Sequence, residues 1–471
     1  MKPLLKSLSF AGLLVAFAAN SFAAATSTGE SKLNVVVILT DDLGWTDLGC
    51  FGSKFYETPH IDRLASQGMK FMDAYASCTV CSPTRASLLT GQYPARLRIT
   101  DWIAGHKRPY AKLNVPDWTM QLATTIPNLA NVLKTAGYAT ASIGKWHLGP
   151  EECWPEKQGF DVNIGGCHRG QPPSYFSPYK IETLTDGPNG EFLSDRLTQE
   201  AVKFIETNKD KPFFVYLPHY GVHTPVMAKP EVIEKYKAKA DKNAPHNNPI
   251  YAGLIESVDD SVGQLLSKLD ELKLSDRTIV VFTSDNGGLI PVTSNVPLRA
   301  GKGSAYEGGV RVPLIIKWPG VTAPGSVNNT PVISADFYPT LLGAAGVPTP
   351  NATSVDGENL EPVLSKNGSL KRDSLYWHYP HYHPGGATPY SAIRDGDFRL
   401  VEFHEDHHVE LYNLKADLGE THDLASELPD KTNALRTKLE AWRKSVNAQM
   451  PSANPEFDAE KDKAQSKANK H

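Results

Sequence analysis

The 471 residues carry 48 lysines and arginines against 52 acidic residues, a formal net charge of −4, with 40% hydrophobic and 21% charged residues. So balanced a charge excludes a protein that coats nucleic acid or another polyanion; an anionic ligand has to be drawn by a local positive focus in a cleft. The apolar share excludes a disordered chain and suffices for a large core, a main domain plus a smaller one.

Met1 to about Ala25 reads as a secretory signal. Lys2 and Lys6 give a positive start, Leu8 to Ala19 is apolar, and Ser21-Phe22-Ala23 is a small-residue cleavage site. The expectation is an exported protein, periplasmic or secreted, with a retained N-terminal anchor as the alternative. No later apolar run reaches spanning length, so no membrane association is expected once the signal is removed. Five cysteines are few for a disulfide scaffold. Apart from Cys81 they allow two bridges, and Cys153 with Cys167 is the preferred pair because both lie in one loop-rich stretch.

Four short apolar or β-branched runs follow, at Asn34–Leu39, Tyr138–Ile143, Phe213–Leu217 and Thr278–Phe282. They are buried-strand signatures. Helical patterns alternate with them, at Thr58–Gln67, Thr125–Ala136, Ser194–Asn208 and Ile250–Leu272. That alternation predicts an α/β fold, a mostly parallel central sheet sandwiched by helices. A Gly- and Pro-rich segment, Gly343–Pro362, marks a boundary. Beyond it, Leu375–Tyr379, Ser391–Arg394, Phe398–Phe403 and Glu410–Leu414 read as short antiparallel strands, and Pro429–Val446 as a helix. The expected organisation is a signal at 1–25, a catalytic domain at 26–365, a smaller C-terminal α+β subdomain with an antiparallel sheet at 366–450, and a charged, frayed tail at 451–471.

Chemistry-bearing residues follow each early strand, where open α/β sheets bind ligands. Asp41-Asp42 ends the first, and adjacent strand-end carboxylates are costly unless a cation or hydrogen bonds compensate. With Asp285 and Asn286 they make an all-oxygen set suited to Ca²⁺, less well to Mg²⁺, and unsuited to zinc. Read alone, Asp285-Asn286-Gly287 is equally a strand-end turn. Lys145 and His147 stand two apart, so an extended backbone would aim both the same way. Between these segments lies Cys81-Ser82-Pro83-Thr84-Arg85, running into Ala86-Ser87-Leu88-Leu89-Thr90-Gly91. Proline suits a first helical turn, so Cys81 is expected just outside a helix N-terminus, with Arg85 on the same side able to hold an anion. A buried thiol before a proline-started helix is the plainer alternative.

The run from Cys81 to Gly91 closely resembles the signature of the sulfatase family, the formylglycine-dependent branch of the alkaline phosphatase superfamily. The resemblance covers about Leu33 to Leu424. It implies that a formylglycine-generating enzyme converts Cys81 to an aldehyde, whose hydrate attacks sulfur and later expels sulfate. It implies Asp41, Asp42, Asp285 and Asn286 as Ca²⁺ ligands, with modified residue 81 adjoining them. Arg85, Lys145 and Lys302, the last in Gly301-Lys302-Gly303, then hold sulfate. His147 partners the formylglycine hydroxyl, and His223, in His223-Thr224-Pro225, joins Lys302 at the leaving oxygen. His219 fits no assignable position and reads as structural or substrate-facing; Glu307 and Arg311 read as a supporting pair.

For substrate, Gly165–Gly170 with His168 and Arg169, and Trp377–His383 with His383, are rich in rings and cations that suit a sulfated sugar. Incidental surface histidines are the alternative reading. Export together with this texture resembles bacterial enzymes that desulfate polysaccharides, with a galactose-type 4-sulfate, as in carrageenan, the preferred ester. Two rival functions stand beside the glycan sulfatase: a phosphonate or phosphate ester hydrolase of the same superfamily, and a non-catalytic sulfated-glycan binder if Cys81 stays a thiol.

Overall fold

The strand Asn34–Thr40 (β1) is buried along its whole length, as a Val- and Ile-rich strand covered on both faces must be. The computed structural model describes residues 32–468 together with Met1; the signal segment, Met1 excepted, and residues 469–471 lie outside the described residues. After β1, the large sheet takes Met69–Phe71 (β2), Ala139–Ile143 (β3), Val162–Ile164 (β4), Phe213–Pro218 (β5), Thr278–Ser284 (β6), Leu314–Lys317 (β7) and Ser326–Asn328 (β8). Its spatial order is β8-β2-β7-β6-β1-β5-β3-β4. The five strands from β6 to β4 are mutually parallel; β7 runs antiparallel to both β6 and β2.

The period-two alternation of β1 divides the core into two layers. Val36 and Ile38 pack with Leu254, Val258 and Val262 of the helix Pro249–Glu271 and with Leu197 of Leu193–Thr207. Val35, Val37 and Leu39 face the other way, onto Leu88 and Leu89 of Cys81–Thr90 and Leu129 and Leu133 of Leu129–Thr135. Helices therefore cover both faces, as expected of the alternating pattern. One boundary moves: the helix expected from Thr125 begins at Leu129, because Asn128 accepts from the N–H groups of Ala130 and Asn131 while Asn131 caps back onto the Asn128 N–H.

The second sheet is separate and antiparallel, Ser374–Tyr379 (β9), Tyr390–Asp395 (β10), Phe398–Phe403 (β11) and Val409–Asn413 (β12), backed by the helix Pro429–Ser445. The tail is not frayed where it is described. Ser452–Ala453 pairs with Leu113–Asn114, Ala459–Ala468 is helical, and Asp462 receives Arg108 Nε at 3.0 Å. The expected Cys153–Cys167 bridge is not formed: the cysteines are free thiols, and Cys167 Sγ faces the Tyr220 hydroxyl at 3.9 Å. Among the described residues, no helix is long and apolar enough to cross a membrane.

Candidate active site

Thr40 and Ser284 are register partners across β1 and β6, so Asp41-Asp42 and Asp285-Asn286 leave the sheet together from adjacent carboxyl ends. Backbone and side chains then tie the two corners to each other. The Asp285 N–H donates to the Thr40 carbonyl (3.1 Å), the Asp42 N–H to Asp285 Oδ1 (3.3 Å), and Asn286 Nδ2 to Asp42 Oδ1 (2.8 Å). Asp42 sits at φ 65°, a left-handed conformation that costs a non-glycine residue about 1–3 kcal/mol and persists only where its surroundings enforce it.

Cys81 is the first residue of its helix, following the extended Val80, and so lies one position further in than expected. Arg85, one turn on, donates from Nε to Asp285 Oδ2 (2.9 Å) and from Nη1 to the Lys145 carbonyl (3.0 Å). Its Nη2 lies 2.8 Å from the same Asp285 oxygen but along no hydrogen-bond line, which leaves a buried N–H for a further acceptor.

Lys145 follows β3 and places Nζ 2.7 Å from Asp41 Oδ2, both fully buried. Lys302 Nζ lies 2.6 and 2.9 Å from the two oxygens of Asp42. His147 reaches the same side by a turn rather than by an extended strand: its φ is 58°, its Nε2 meets the Ile103 carbonyl, and its buried Nδ1 has no partner among the described residues. His223 Nδ1 contacts the Thr224 carbonyl at 2.9 Å, and its Nε2 lies 3.6 Å from Asp42. His219 is instead a core residue, bonded through Nε2 to Ser261 Oγ at 3.1 Å. Glu307 and Arg311 form the expected pair, Oε2 to Nε at 2.7 Å.

Burial dominates the electrostatics. It raises Asp41 to about 7 even though Lys145 pulls the other way. It would raise Asp42 too, but Lys302 and His223 outweigh it and hold that carboxyl below the usual carboxylate range. Burial pushes the Cys81 thiol up despite Lys145 and Lys302, so unmodified it is a protonated, poor nucleophile at neutral pH. Burial and Lys145 keep His147 well below the usual imidazole range, and burial and Lys302 lower His223 to about 3.

The residues present fit a hard cation. Asp41 Oδ1 and Asn286 Oδ1 are buried without a hydrogen-bond partner among the described residues. Ligand atoms of Asp41, Cys81 and Asp285 lie within 4.8 Å of one another, as do those of Asp41, Asp42 and His223. Carboxylate and amide oxygens dominate this set, which favours Ca²⁺ or Mg²⁺.

A cavity of about 340 Å³ opens here, lined by Cys81, Trp102, Ile103, His147, Gly170, Gln171, His223, Leu289, Lys302 and His383. His383 packs against Gly303, where any Cβ would collide with its ring, and accepts from the Gly385 N–H at 2.9 Å. The other two residues expected at the substrate lie elsewhere. Arg169 is spent on Glu182, with bonds of 2.6, 3.0 and 3.1 Å, and His168 is exposed outside the cavity. Gly170 and Gln171 take their place, because Gly170 lies so close to the His147 ring that a Cβ would sit 2.7 Å from Cε1. Trp102, Ile103, Gln171 and Leu289 escape a reading of the sequence. Gln171 is one residue past a loop already singled out; Trp102, Ile103 and Leu289 have no local signal.

An Asp-Asp pair and an Asp-Asn pair at neighbouring parallel strand ends, facing a helix-start cysteine among buried cations, make a site suited to an anionic ester. Comparison with known proteins narrows the class. A family model described as Sulfatase matches residues 33–347, and one described as N-sulphoglucosamine sulphohydrolase, C-terminal, matches 301–446. A sulfatase of Formosa agariphila is 35% identical, covering 89% of this chain and 90% of its own. The N-acetylgalactosamine-6-sulfatase of Mus musculus is 34% identical over 73% of this chain and 68% of its own. The crystal structure of Ps i-CgsB, also solved in complex with k-i-k-neocarrahexaose, superimposes with a TM-score of 0.76 at 30% identity, covering 93% of this chain and 98% of that one. The chain belongs to the sulfatase family and is a sulfuric ester hydrolase.

Proposed function

We propose that this chain is an exported sulfatase that hydrolyses sulfate monoesters on a poly- or oligosaccharide, with residue 81 converted to formylglycine by a formylglycine-generating enzyme and Ca²⁺ held at the strand ends. The observation that carries the reading is the convergence of Asp41, Cys81 and Asp285 within 4.8 Å, walled by Lys145 and Lys302. The signal-like segment at 1–25 supports export. The proposed division is a catalytic domain at 26–365 and a C-terminal subdomain at 366–450.

Asp41, Asp42, Asp285 and Asn286 would hold the cation, which supplies neutralising charge to the ester oxygens. Formylglycine supplies, as half of a hydrated aldehyde, both a hydroxyl to attack sulfur and a way to release sulfate afterwards. The chain's own residues do the rest. With Nε2–H on the Ile103 carbonyl, His147 presents an Nδ1 lone pair in the cavity that Cys81 also lines, a station for a proton from residue 81. Asp42 raises Lys302 above its usual range, so Lys302 keeps the proton that a leaving oxygen needs. His223 gives its Nδ1–H to the Thr224 carbonyl, so it serves the same oxygen as a donor only with a second proton on Nε2, which the Asp42 carboxylate 3.6 Å away favours. Three buried acidic side chains (Asp41, Asp42, Asp285) face the buried Arg85 and Lys145 and the half-buried Lys302, so formal charges cancel and a divalent ion would add attraction for an anionic ester.

The names of two relatives, an N-acetylgalactosamine-6-sulfatase and a protein solved with a neocarrahexaose, support a sulfated sugar, and a galactose-type ring is our preferred substrate. Peptide mass spectrometry across Cys81, with rates on sulfated oligosaccharides, tests the reading. Loss of sulfur with gain of an aldehyde oxygen is expected; an intact thiol in the purified protein supports a glycan binder instead. Faster turnover of aryl phosphates or phosphonates than of aryl sulfates supports the rival hydrolase.

A further inference from the structure

Lys302 lies on a segment with almost no regular structure of its own, a single helical turn at Glu307–Val310 excepted. Its backbone is held from two sides: the Lys302 and Gly303 N–H groups donate to the Gly288 and Thr79 carbonyls (both 3.0 Å), and the carbonyls that follow are held from the antiparallel sheet and its loops. The Ala387 N–H donates to the Gly303 carbonyl (2.9 Å), the Tyr390 hydroxyl to the Ser304 carbonyl (3.4 Å), and Arg399 Nη2 to the Ala305 carbonyl (2.6 Å). Glu420 Oε2 accepts from the Glu307 N–H at 2.7 Å. Arg399, on β11, and Glu420, just beyond β12, are joined to each other, Nη1 to Oε1 at 2.6 Å. Arg299 Nη1 closes the frame by donating to the Glu420 carbonyl at 3.0 Å.

Arg399 is fully buried and Glu420 is 1% exposed, at a left-handed φ of 50°. Burying such a pair is poor strategy for stability alone, since desolvation offsets much of the attraction. What the pair does supply is geometry: a planar guanidinium locked to a carboxylate spans Ala305 and Glu307, three and five residues after Lys302. We propose that Arg399 and Glu420 are positioning residues for Lys302, a brace by which the C-terminal sheet sets the ammonium against the leaving oxygen. The proposal rests on the reading of Lys302 given above.

The test uses the full-length matured enzyme and a series of aryl sulfates from 4-nitrophenyl to phenyl, whose leaving groups grow more basic. Misplacing Lys302 harms the poorest leaving group most. Glu420→Gln and Arg399→Met are expected to lower kcat/KM for phenyl sulfate by about 10- to 100-fold and for 4-nitrophenyl sulfate by less than about threefold. Arg399→Lys should fall between Arg399→Met and the native enzyme, and Lys302→Ala should steepen the same dependence. Tyr390→Phe, which removes one hydroxyl from the frame, should show a smaller shift in the same sense and decides the matter if Arg399→Met does not fold. Equal losses on all esters in the brace variants, with a steepened dependence in Lys302→Ala, overturn the brace and leave the role of Lys302 standing. An unchanged dependence in Lys302→Ala overturns that role, and the brace with it.

Discussion

Asp285 binds Arg85 through Oδ2 while its Oδ1 takes the N–H of Asp42, so one carboxylate orients both a cation and the opposite strand end. Asp285→Asn keeps the shape and removes the charge, leaving Arg85 buried without its ion pair. We expect kcat/KM to fall by about 100-fold or more, calcium content by elemental mass spectrometry to drop, and unfolding free energy to fall by about 3–5 kcal/mol. Native activity with a full complement of calcium in the variant would refute the assignment.

Chelation tests the cation more directly. An ion that binds only the folded chain adds about 4 kcal/mol at a thousandfold excess over its dissociation constant. EDTA should therefore lower the melting temperature and abolish turnover, with Ca²⁺ restoring both better than Mg²⁺. A melting curve and a rate indifferent to EDTA would remove the metal from the reading.

The walls of the cavity should separate residues that touch substrate from those that do not. Trp102→Ala and His383→Ala are expected to raise KM for a sulfated oligosaccharide about tenfold, with smaller effects on 4-nitrophenyl sulfate. Arg169→Ala should change KM by less than about twofold, because its pair with Glu182 is about a third exposed and such pairs contribute roughly 0–1 kcal/mol. A large effect at Arg169 would show that the substrate reaches beyond the cavity described.

Asp101, beside Trp102, carries a pH signature. It accepts from the Tyr379 hydroxyl (2.6 Å) and the Trp102 N–H (2.9 Å), yet burial raises it to about 7. The folded chain thus keeps a proton that the unfolded chain releases near pH 4, so this group's contribution is complete below pH 4 and is lost as pH rises to about 7. Asp101→Asn has no such dependence. The variant's stability relative to the native protein should rise across that interval by at most about 4 kcal/mol, read from urea melts at each pH. A difference that stays level with pH would contradict the burial of a protonated Asp101.

The central strands, the Asp41-Asp42 pair and Asp285-Asn286 are legible in sequence because each is local: a β-branched run that ends in oxygen-bearing side chains announces both the strand and its loaded end. The Cys81–Gly91 run is legible for the same reason. What escapes is decided by partners far away in the chain. Arg169 looks like a substrate cation until Glu182 is found paired with it, and His383 meets Gly303 from 80 positions away in the chain. The charged tail reads as solvated because nothing near Asp462 foretells Arg108. Even the helix start at Leu129 depends on an Asn128–Asn131 reciprocal cap, a less familiar pattern than Ser or Thr followed by Glu.

Cys81 is 3% exposed, the opening residue of a helix whose ten residues are all buried. A second protein acting on this thiol would find it at the start of a helix with no exposed residue, and not on an extended segment it could grip. On the reading proposed above, conversion of this cysteine is expected before the helix closes over it, which would settle the supply of competent enzyme in the interval between synthesis and collapse. On that reading, a chain that folds unconverted keeps a protonated thiol in the cavity lining and is well formed but inert.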